Sequence, residues 1–364
     1  VLARCGGFDQ LAGRLGLPLT ARPGYLGGFA AAYPEDRPWV VAVTRADGEW
    51  QAGALLARRR RHGLTRVTGL GHPVCDHGRL PADPADPAAA DLLAEAIAAG
   101  LAATAGPWTL RLEQLPAGDP VARLLADRLR HAEVVPGVGL PRIRLSAGRD
   151  PRAYLRKKFR QQVAAAHRRF AAAGVQPRTV YLHTPAEIEP LLADLLAIRR
   201  ARDRAALYRP ELADDRRADW WRATMLRFAD LGQLELAVLD VGAGPPAAYL
   251  AALLDGASYR CWDGRLNPAW QHQWPGTALF GDVLPRVIAD ERWDEVDYLR
   301  GETPFKLHTA TDVVQTCHLL AWSARPVRLA VEAPAAARGR LRAWKAAHPA
   351  ADRAWRAARA RCRR

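Results

Sequence analysis

Lysine is scarce in this chain: only Lys157, Lys158, Lys306 and Lys345 occur among its 364 residues. Lys and Arg nevertheless total 53 against 38 Asp and Glu, a net charge of +15, so the basicity is almost all arginine. Genome composition explains a preference for arginine over lysine, but not an excess of base over acid. Cysteine is sparse too. Cys5, Cys75, Cys261, Cys317 and Cys362 lie scattered with no CxxC pair, which excludes a disulfide framework and points to reduced thiols. No run of eighteen uncharged apolar residues exists, so no membrane insertion is expected; even the most apolar stretch, 92–105, contains Glu95. The first twenty residues hold Arg4, Asp9 and Arg14 without the apolar run a secretory signal needs. A cytoplasmic protein is expected, and a start at Val1 suggests an initiating segment missing from it. The remaining composition, 49% apolar and 25% charged, is that of a folded chain, and its length suggests two domains.

The charge is concentrated. Seven Arg or Lys and no acid lie between Arg152 and Arg169, and ten with a single acid, Asp352, lie between Arg338 and Arg364. Those two segments account for the whole net charge and leave a near-neutral body. Such density attracts a phosphate polymer or an anionic surface, although solvated helix faces carry similar runs. Arg152, Arg156, Lys157, Lys158, Arg160, Arg168 and Arg169 are the candidate nucleic-acid contacts.

Segments over 39–44, 50–56, 65–70, 108–112 and 142–145 read as strands, the first of them β-rich, with helices predicted over 88–104 and 120–130. The second half opens on a basic helix whose Leu155, Phe159, Val163, Ala166 and Phe170 step by three or four onto one face. Further helices are expected over 184–202 and 214–229. Three strands follow, over 234–241, 247–254 and 258–263, with the first two joined by a Gly/Pro turn. A helix opens at Pro275-Gly276 and is expected to kink or end near Pro285, before strands over 296–299 and 313–322. The succession is α/β with mixed sheets.

Three stretches resemble a known family: YLRKKFRQQVAAAHRRFAAAG over 154–174, WDGRLNPAWQHQWPGTALFGDVL over 262–284 and DYLRGETPFK over 297–306. Together they resemble the GNAT superfamily of acyltransferases, in the two-lobed branch of cellulose-biosynthesis-type acetyltransferases and Fem-type aminoacyl-tRNA transferases. The resemblance spans 37–323. It implies two GNAT-like lobes, each a mixed, mainly antiparallel sheet flanked by helices: an N-terminal lobe over 1–148, a catalytic lobe over 149–326 and a basic helical tail over 327–364.

Gln273, Trp274, Gly276, Thr277 and Ala278 fit that superfamily's phosphate-loop spacing, with Pro275 removing one N–H from the cradle. Arg300, with Lys306, is placed to hold an anionic donor or polarise the acyl carbonyl. Asp263 and Glu302 are alternative bases for the ammonium proton, and Lys306 is grouped with them as catalytic. His72, Cys75, Asp76 and His77 crowd one loop without metal-site spacing, so no metal is expected. The resemblance carries Asp76 over as an acceptor-binding residue. Trp262, Trp270 and Trp274 are candidates to line an acyl or nucleobase pocket, with Trp262 assigned to the acceptor, whereas Trp220 and Trp221 are expected to pack a helix. No bound cofactor is expected. The co-substrate is aminoacyl-tRNA or acyl-CoA, with tRNA as the favoured partner and a small-molecule amine as acceptor. An acyl-CoA-dependent N-acyltransferase is the alternative, and a non-catalytic RNA-binding protein ranks behind both.

Overall fold

The structure, a computed structural model, describes residues 5–146, 149–205, 211–242 and 244–333, with 344 and 348. Helices α1 (Gly6–Arg14) and α2 (Pro23–Ala32) lead into β1 (Arg37–Thr44), β2 (Trp50–Arg61) and β3 (Leu64–Gly69). Then come α3 (Ala89–Ala102), β4 (Trp108–Pro116), α4 (Pro120–Arg128), β5 (Ala132–Pro136) and β6 (Leu140–Arg144). The second half begins with α5 (Pro151–Tyr154), α6 (Lys157–Ala172), β7 (Arg178–Leu182), α7 (Pro185–Ile188), α8 (Leu192–Ala205) and α9 (Asp215–Asp230). It continues with β8 (Leu234–Asp240), β9 (Ala248–Asp255), β10 (Ser258–Leu266), α10 (Pro275–Ala289), β11 (Glu295–Asp297), α11 (Pro304–Thr309), β12 (Asp312–Val314) and β13 (Thr316–Trp322).

Among the described residues these strands form two sheets, ordered β1-β2-β3-β4-β13-β5 and β12-β6-β11-β10-β9-β8-β7. The expected pair of mixed, mainly antiparallel sheets is present, with β3–β4 and β10–β11 as the parallel pairs. The chain does not divide between the sheets at residue 148. β6 precedes that point yet pairs with β11 and β12 in the second sheet, and β13 returns from the far end to sit between β4 and β5 in the first. The single strand expected over 313–322 is therefore two, broken at Gln315, each serving a different sheet. β5 is an addition that its short AEVVP segment did not announce.

Local chemistry explains most boundaries. The Asp119 carboxylate accepts from Ala122 N at 2.9 Å and, with Pro120 in the first turn, starts α4. Thr184 and Glu187 cap each other's backbone and start α7. The basic helix is interrupted: Leu155 and Arg156 are extended, and the Arg160 guanidinium closes α5 by donating to the carbonyls of Leu155 (2.7 Å) and Arg152 (3.2 Å). Pro285 does not end α10, which runs on to Ala289. Val283, Leu284, Val287 and Ile288 are all fully buried around it, and that packing outweighs the missing N–H.

Each lobe has its own core, and a third apolar cluster joins them. Phe8, Tyr25 and Phe29 of α1 and α2 pack with Trp220, Trp221 and Phe228 of α9 and with Leu236 and Tyr249 beneath. The two N-terminal helices thus act as mortar between lobes. Of the basic tail expected over 327–364, residues 327–333, 344 and 348 are described; the remainder lies outside the described residues.

Leu319 of β13 is completely buried in the first lobe's core. Truncating it to Ala is expected to cost about 2–5 kcal/mol. Hydrogen exchange should show protection lost first in β4 and β5, far earlier in sequence; loss confined to 234–322 would contradict the strand exchange.

Candidate active site

β10 and β11 pair for three residues only, ending at Arg260 opposite Asp297. Beyond that point β10 continues to Leu266 along β9, while the chain after β11 turns the other way and Tyr298 N donates to Pro141 O at 3.0 Å. The two strands part, leaving the β10 backbone from Cys261 onward without a strand partner on that side among the described residues. A bulge at Trp262 interrupts the pleat there. Leu299, at φ 57°, makes the turn in a conformation costly for a branched side chain, and Asp297 Oδ1 holds it by accepting from Leu299 N at 2.8 Å.

The parting opens a cavity of about 410 Å³. β10 supplies Cys261 to Leu266, the turn after β11 supplies Tyr298 to Arg300, and the start of α10 supplies Gly276. Lys306 reaches in from α11, Trp220 and Trp221 from α9, and Tyr25, Val74 and Asp76 from the first lobe. Two residues that the sequence assigned to different substrates meet here: Arg300 Nε lies 3.0 Å from Asp76 Oδ1, and Arg300 also donates to Pro73 O at 2.7 Å. Arg300 is thus a clasp between lobes with its guanidinium committed. Burial raises the Asp76 carboxyl above its ordinary range, against the opposing pull of Arg300, His77 and Lys306. A carboxylate made more basic this way, facing a cavity, is suited to taking a proton from an ammonium group.

Other sequence candidates change role. Asp263 lines the cavity but cannot serve as base. Its oxygens face Arg199, Arg265 (3.3 Å), Trp221 Nε1 (2.9 Å) and Tyr249 Oη (3.1 Å). Burial alone would raise this carboxyl, yet the two guanidiniums and the indole hold it below its ordinary range. Glu302 is exposed and turns away from the cavity, its carboxylate crowding the Cα of Gly139. Lys306 is present, but Nζ donates to Tyr298 O (2.7 Å) and Arg300 O (2.8 Å), so it braces the turn while placing a positive charge beside Asp76. Burial lowers its pKa.

In the loop before α10, Gly276 borders the cavity, Ala278 is buried in the core and Gln273 Oε1 is buried without a partner. Trp262 Nε1 donates to Tyr25 Oη at 3.1 Å, and Trp270 packs against Phe170. α10 lies directly against α6 because Gly281 has no Cβ; one would collide with Val163. The apolar stripe of α6 is buried as expected at Leu155, Phe159, Ala166 and Phe170. Arg152, Arg156, Lys157, Lys158, Arg160, Arg168 and Arg169 are all exposed, although Arg160 is engaged as described and Arg169 donates to His272 O at 2.7 Å.

Cys75 and His77 of the reactive-looking loop are held in structural contacts. Burial drives the Cys75 thiol up to about 12, and it donates to His77 O. His77 is 2% exposed; its Nε2 meets Asp297 Oδ2 at 3.2 Å and its Nδ1 meets Thr20 Oγ1 at 2.9 Å. Asp297 also pairs with Arg260, which reaches Asp255 at 2.7 Å, and Asp255 in turn accepts from Leu19 N at 2.9 Å. Burial would raise the Asp297 carboxyl, but His77, Arg260 and the Leu299 N–H overcome this and hold it well below the carboxylate range. Among the described residues no group of three or more His, Cys, Asp or Glu is arranged to hold a metal ion.

Residues 157–307 match the family described as an acetyltransferase (GNAT) domain. That part of the chain is a GNAT domain. The matched span runs from the start of α6 into α11 and contains the whole parting of β10 from β11. This GNAT protein is accordingly an acyltransferase. FemX shares its fold over 84% of this chain and 93% of its own, with a TM-score of 0.59 at 9% identity. L-PGS from Bacillus licheniformis does so over 85% and 95%, with a TM-score of 0.51 at 12% identity. The C-terminal DUF2156 domain named for a lysylphosphatidylglycerol synthetase of Agrobacterium fabrum covers the same shares, with a TM-score of 0.51 at 11% identity. These likenesses concern the fold, and they span both lobes. No curated protein matches the sequence.

Sequence reasoning missed Tyr25, Arg199 and the cavity-facing role of Trp220 and Trp221, because nothing local announces that α2, α8 and α9 converge on β10. It also passed over Arg58–Arg61 on β2, of which Arg58 lies over the Trp39 ring and Arg59 pairs with Glu35 and Asp36.

The assignments separate experimentally. Asp297→Asn breaks a buried pair and is expected to cost about 3–5 kcal/mol at neutral pH. A carboxyl held low in the folded state stabilises above its unfolded value, near pH 4, and that gain is lost as pH falls through the folded value. Urea unfolding from pH 7 to 3 should therefore show the mutant's deficit shrinking below about pH 4; a constant deficit would contradict the Asp297 assignment.

Proposed function

We propose that this GNAT protein forms an amide by moving the aminoacyl group of an aminoacyl-tRNA onto the primary amine of a small-molecule acceptor. The loop before α10 carries the choice of donor. A pyrophosphate clasp needs several free N–H groups in succession. Here Pro275 has none, and those of Thr277 and Ala278 donate to Trp274 O at 3.0 and 3.1 Å, which leaves Gly276. Alongside, α6 presents an exposed cationic face with no acid in its first turn. Lys157 and Lys158 sit at the helix end where the backbone dipole already repels cations, a placement that favours anion binding over helix stability. A tRNA backbone would use that charge; a small acyl donor does not require it. The shared fold with FemX and with a protein named for lysylphosphatidylglycerol, an aminoacylated lipid, is consistent with an aminoacyl donor.

In this reading Asp76 takes the ammonium proton, and the freed amine attacks the aminoacyl ester carbonyl. The new C–N bond forms as the ester C–O bond breaks, and the leaving ribose hydroxyl takes up a proton. The unpaired backbone of β10 and the charge of Lys306 stabilise the oxyanion. A small amine fits the cavity of about 410 Å³.

The deciding experiment is binding of bulk aminoacyl-tRNA and of CoA across a salt series. Replacing Arg156, Lys157 and Lys158 by Gln should flatten the tRNA salt slope by about 2 to 3 without lowering thermal stability. CoA binding with no tRNA affinity would make the donor acyl-CoA, and tight RNA binding without acyl transfer would leave an RNA-binding protein. Asp76→Asn should reduce turnover about 10²- to 10⁴-fold while the protein stays folded. Since burial raises the Asp76 carboxyl, wild-type transfer should fall with decreasing pH at a value above that of an ordinary aspartate. Undiminished transfer by Asp76→Asn would exclude Asp76 as the base.

A further inference from the structure

Folding alone does not account for Trp274. It precedes α10 in the left-handed conformation, φ 58° and ψ 52°, which glycine or asparagine adopts far more readily. It occupies the N-cap position yet makes no side-chain cap hydrogen bond. The residue is 39% exposed. Each property works against stability, and all three fall two residues from Gly276, at the border of the cavity.

What the side chain does have is a backing. The Arg169 guanidinium lies over the ring at 3.7 Å from its centroid and is fixed by its hydrogen bond to His272 O. With one face covered, the exposed area of the indole lies on the other face and the rim. The remaining tryptophans around the cavity have no such face to offer. Trp220 and Trp262 meet each other and Tyr25 edge to face at 82–85°, Trp221 is 1% exposed, and Trp270 packs on Phe170. An aromatic ring polarised by a stacked cation, open on one side beside an acyl-transfer cavity, suits a flat nucleobase.

We infer that Trp274, backed by Arg169, is the stacking platform for the adenine of the acyl donor. This rests on the acyl-transfer reading and holds for either donor, because aminoacyl-tRNA ends in adenosine and CoA carries an adenine nucleotide. The platform keeps the base outside the cavity while the acyl end enters past Gly276.

The test compares wild-type protein, Trp274→Tyr and Trp274→Asn by calorimetric titration with paired probes. The tRNA pair is a minihelix ending in CCA and the same minihelix lacking the terminal A. The CoA pair is CoA and 4′-phosphopantetheine. Whichever pair binds identifies the source of the adenine. Within it, wild-type protein should prefer the adenine-bearing member by about ten- to a hundredfold. Trp274→Asn should abolish that preference without lowering the melting temperature, and Trp274→Tyr should retain most of it. A preference that survives in Trp274→Asn overturns the platform and leaves the acyl-transfer reading standing. Equal binding of both members by wild-type protein overturns it as well. If wild-type protein binds neither pair, the donor reading fails and the platform fails with it.

Discussion

The second sheet stops being a sheet at the Arg260–Asp297 ion pair. Up to that pair β10 and β11 are ordinary parallel neighbours; past it one strand follows β9 and the other follows β6, and the cavity lies between. A parted pair of strands exposes backbone groups and forfeits ladder hydrogen bonds, so something must make the separation cheaper than closure. The buried network does this. Asp297 spends one oxygen on the Leu299 N–H, forcing the turn, and the other on Arg260 and His77. His77 comes from the first lobe, and Asp255 extends the network to the backbone of Leu19. The opening of the cavity and the docking of the lobes are therefore set by the same few charges.

That coupling explains why the site is assembled from both halves of the chain. Asp76 belongs to a first-lobe loop and Arg300 to the turn after β11, and Asp76 would be a poorly compensated charge without Arg300. The strand exchange keeps them in register, since β6 and β13 each tie one lobe's sheet to the sequence of the other. The lobes thus lack the slack of two domains on a linker, and Asp76 is held at a fixed distance from β10.

Much of this was legible in the sequence where the signal is local. The apolar step from Leu155 to Phe170, the hairpin turns and the Pro275-Gly276 helix start all follow from residues a turn or two apart. Strand exchange was not legible, because β12 and β13 form one apolar run and only pairing with strands far earlier in the chain assigns its halves to different sheets. The site shows the same division. Asp76, Trp262, Gly276, Arg300 and Lys306 do meet at the cavity, whereas Asp263 and Glu302 fail as bases for reasons of surroundings. Asp263 sits among guanidiniums that α8 and β10 bring together, and Glu302 points across a glycine toward solvent. Residue type suggests a base; only neighbours decide its proton affinity.

The charge can now be assigned by consequence. Arginines that hold the fold are paired, Arg199 and Arg260 buried and Arg300 partly so, and removing one would strand a carboxylate. The cations of α6 are different: Arg156, Lys157, Lys158 and Arg168 are exposed, with no acid on their helix. Two of them stand where the helix dipole opposes them, a net cost to the isolated fold of a few tenths of a kcal/mol each. Charge kept at a small loss of stability, beside the entrance to an acyl-transfer cavity, is best understood through what it approaches. The cavity keeps its carboxylates paired, whereas α6, whose other face is bolted to α10 through the contact at Gly281, presents exposed cations. On the proposed reading, a donor drawn to α6 would be delivered to the loop at Trp274, and from there to the open edge of β10.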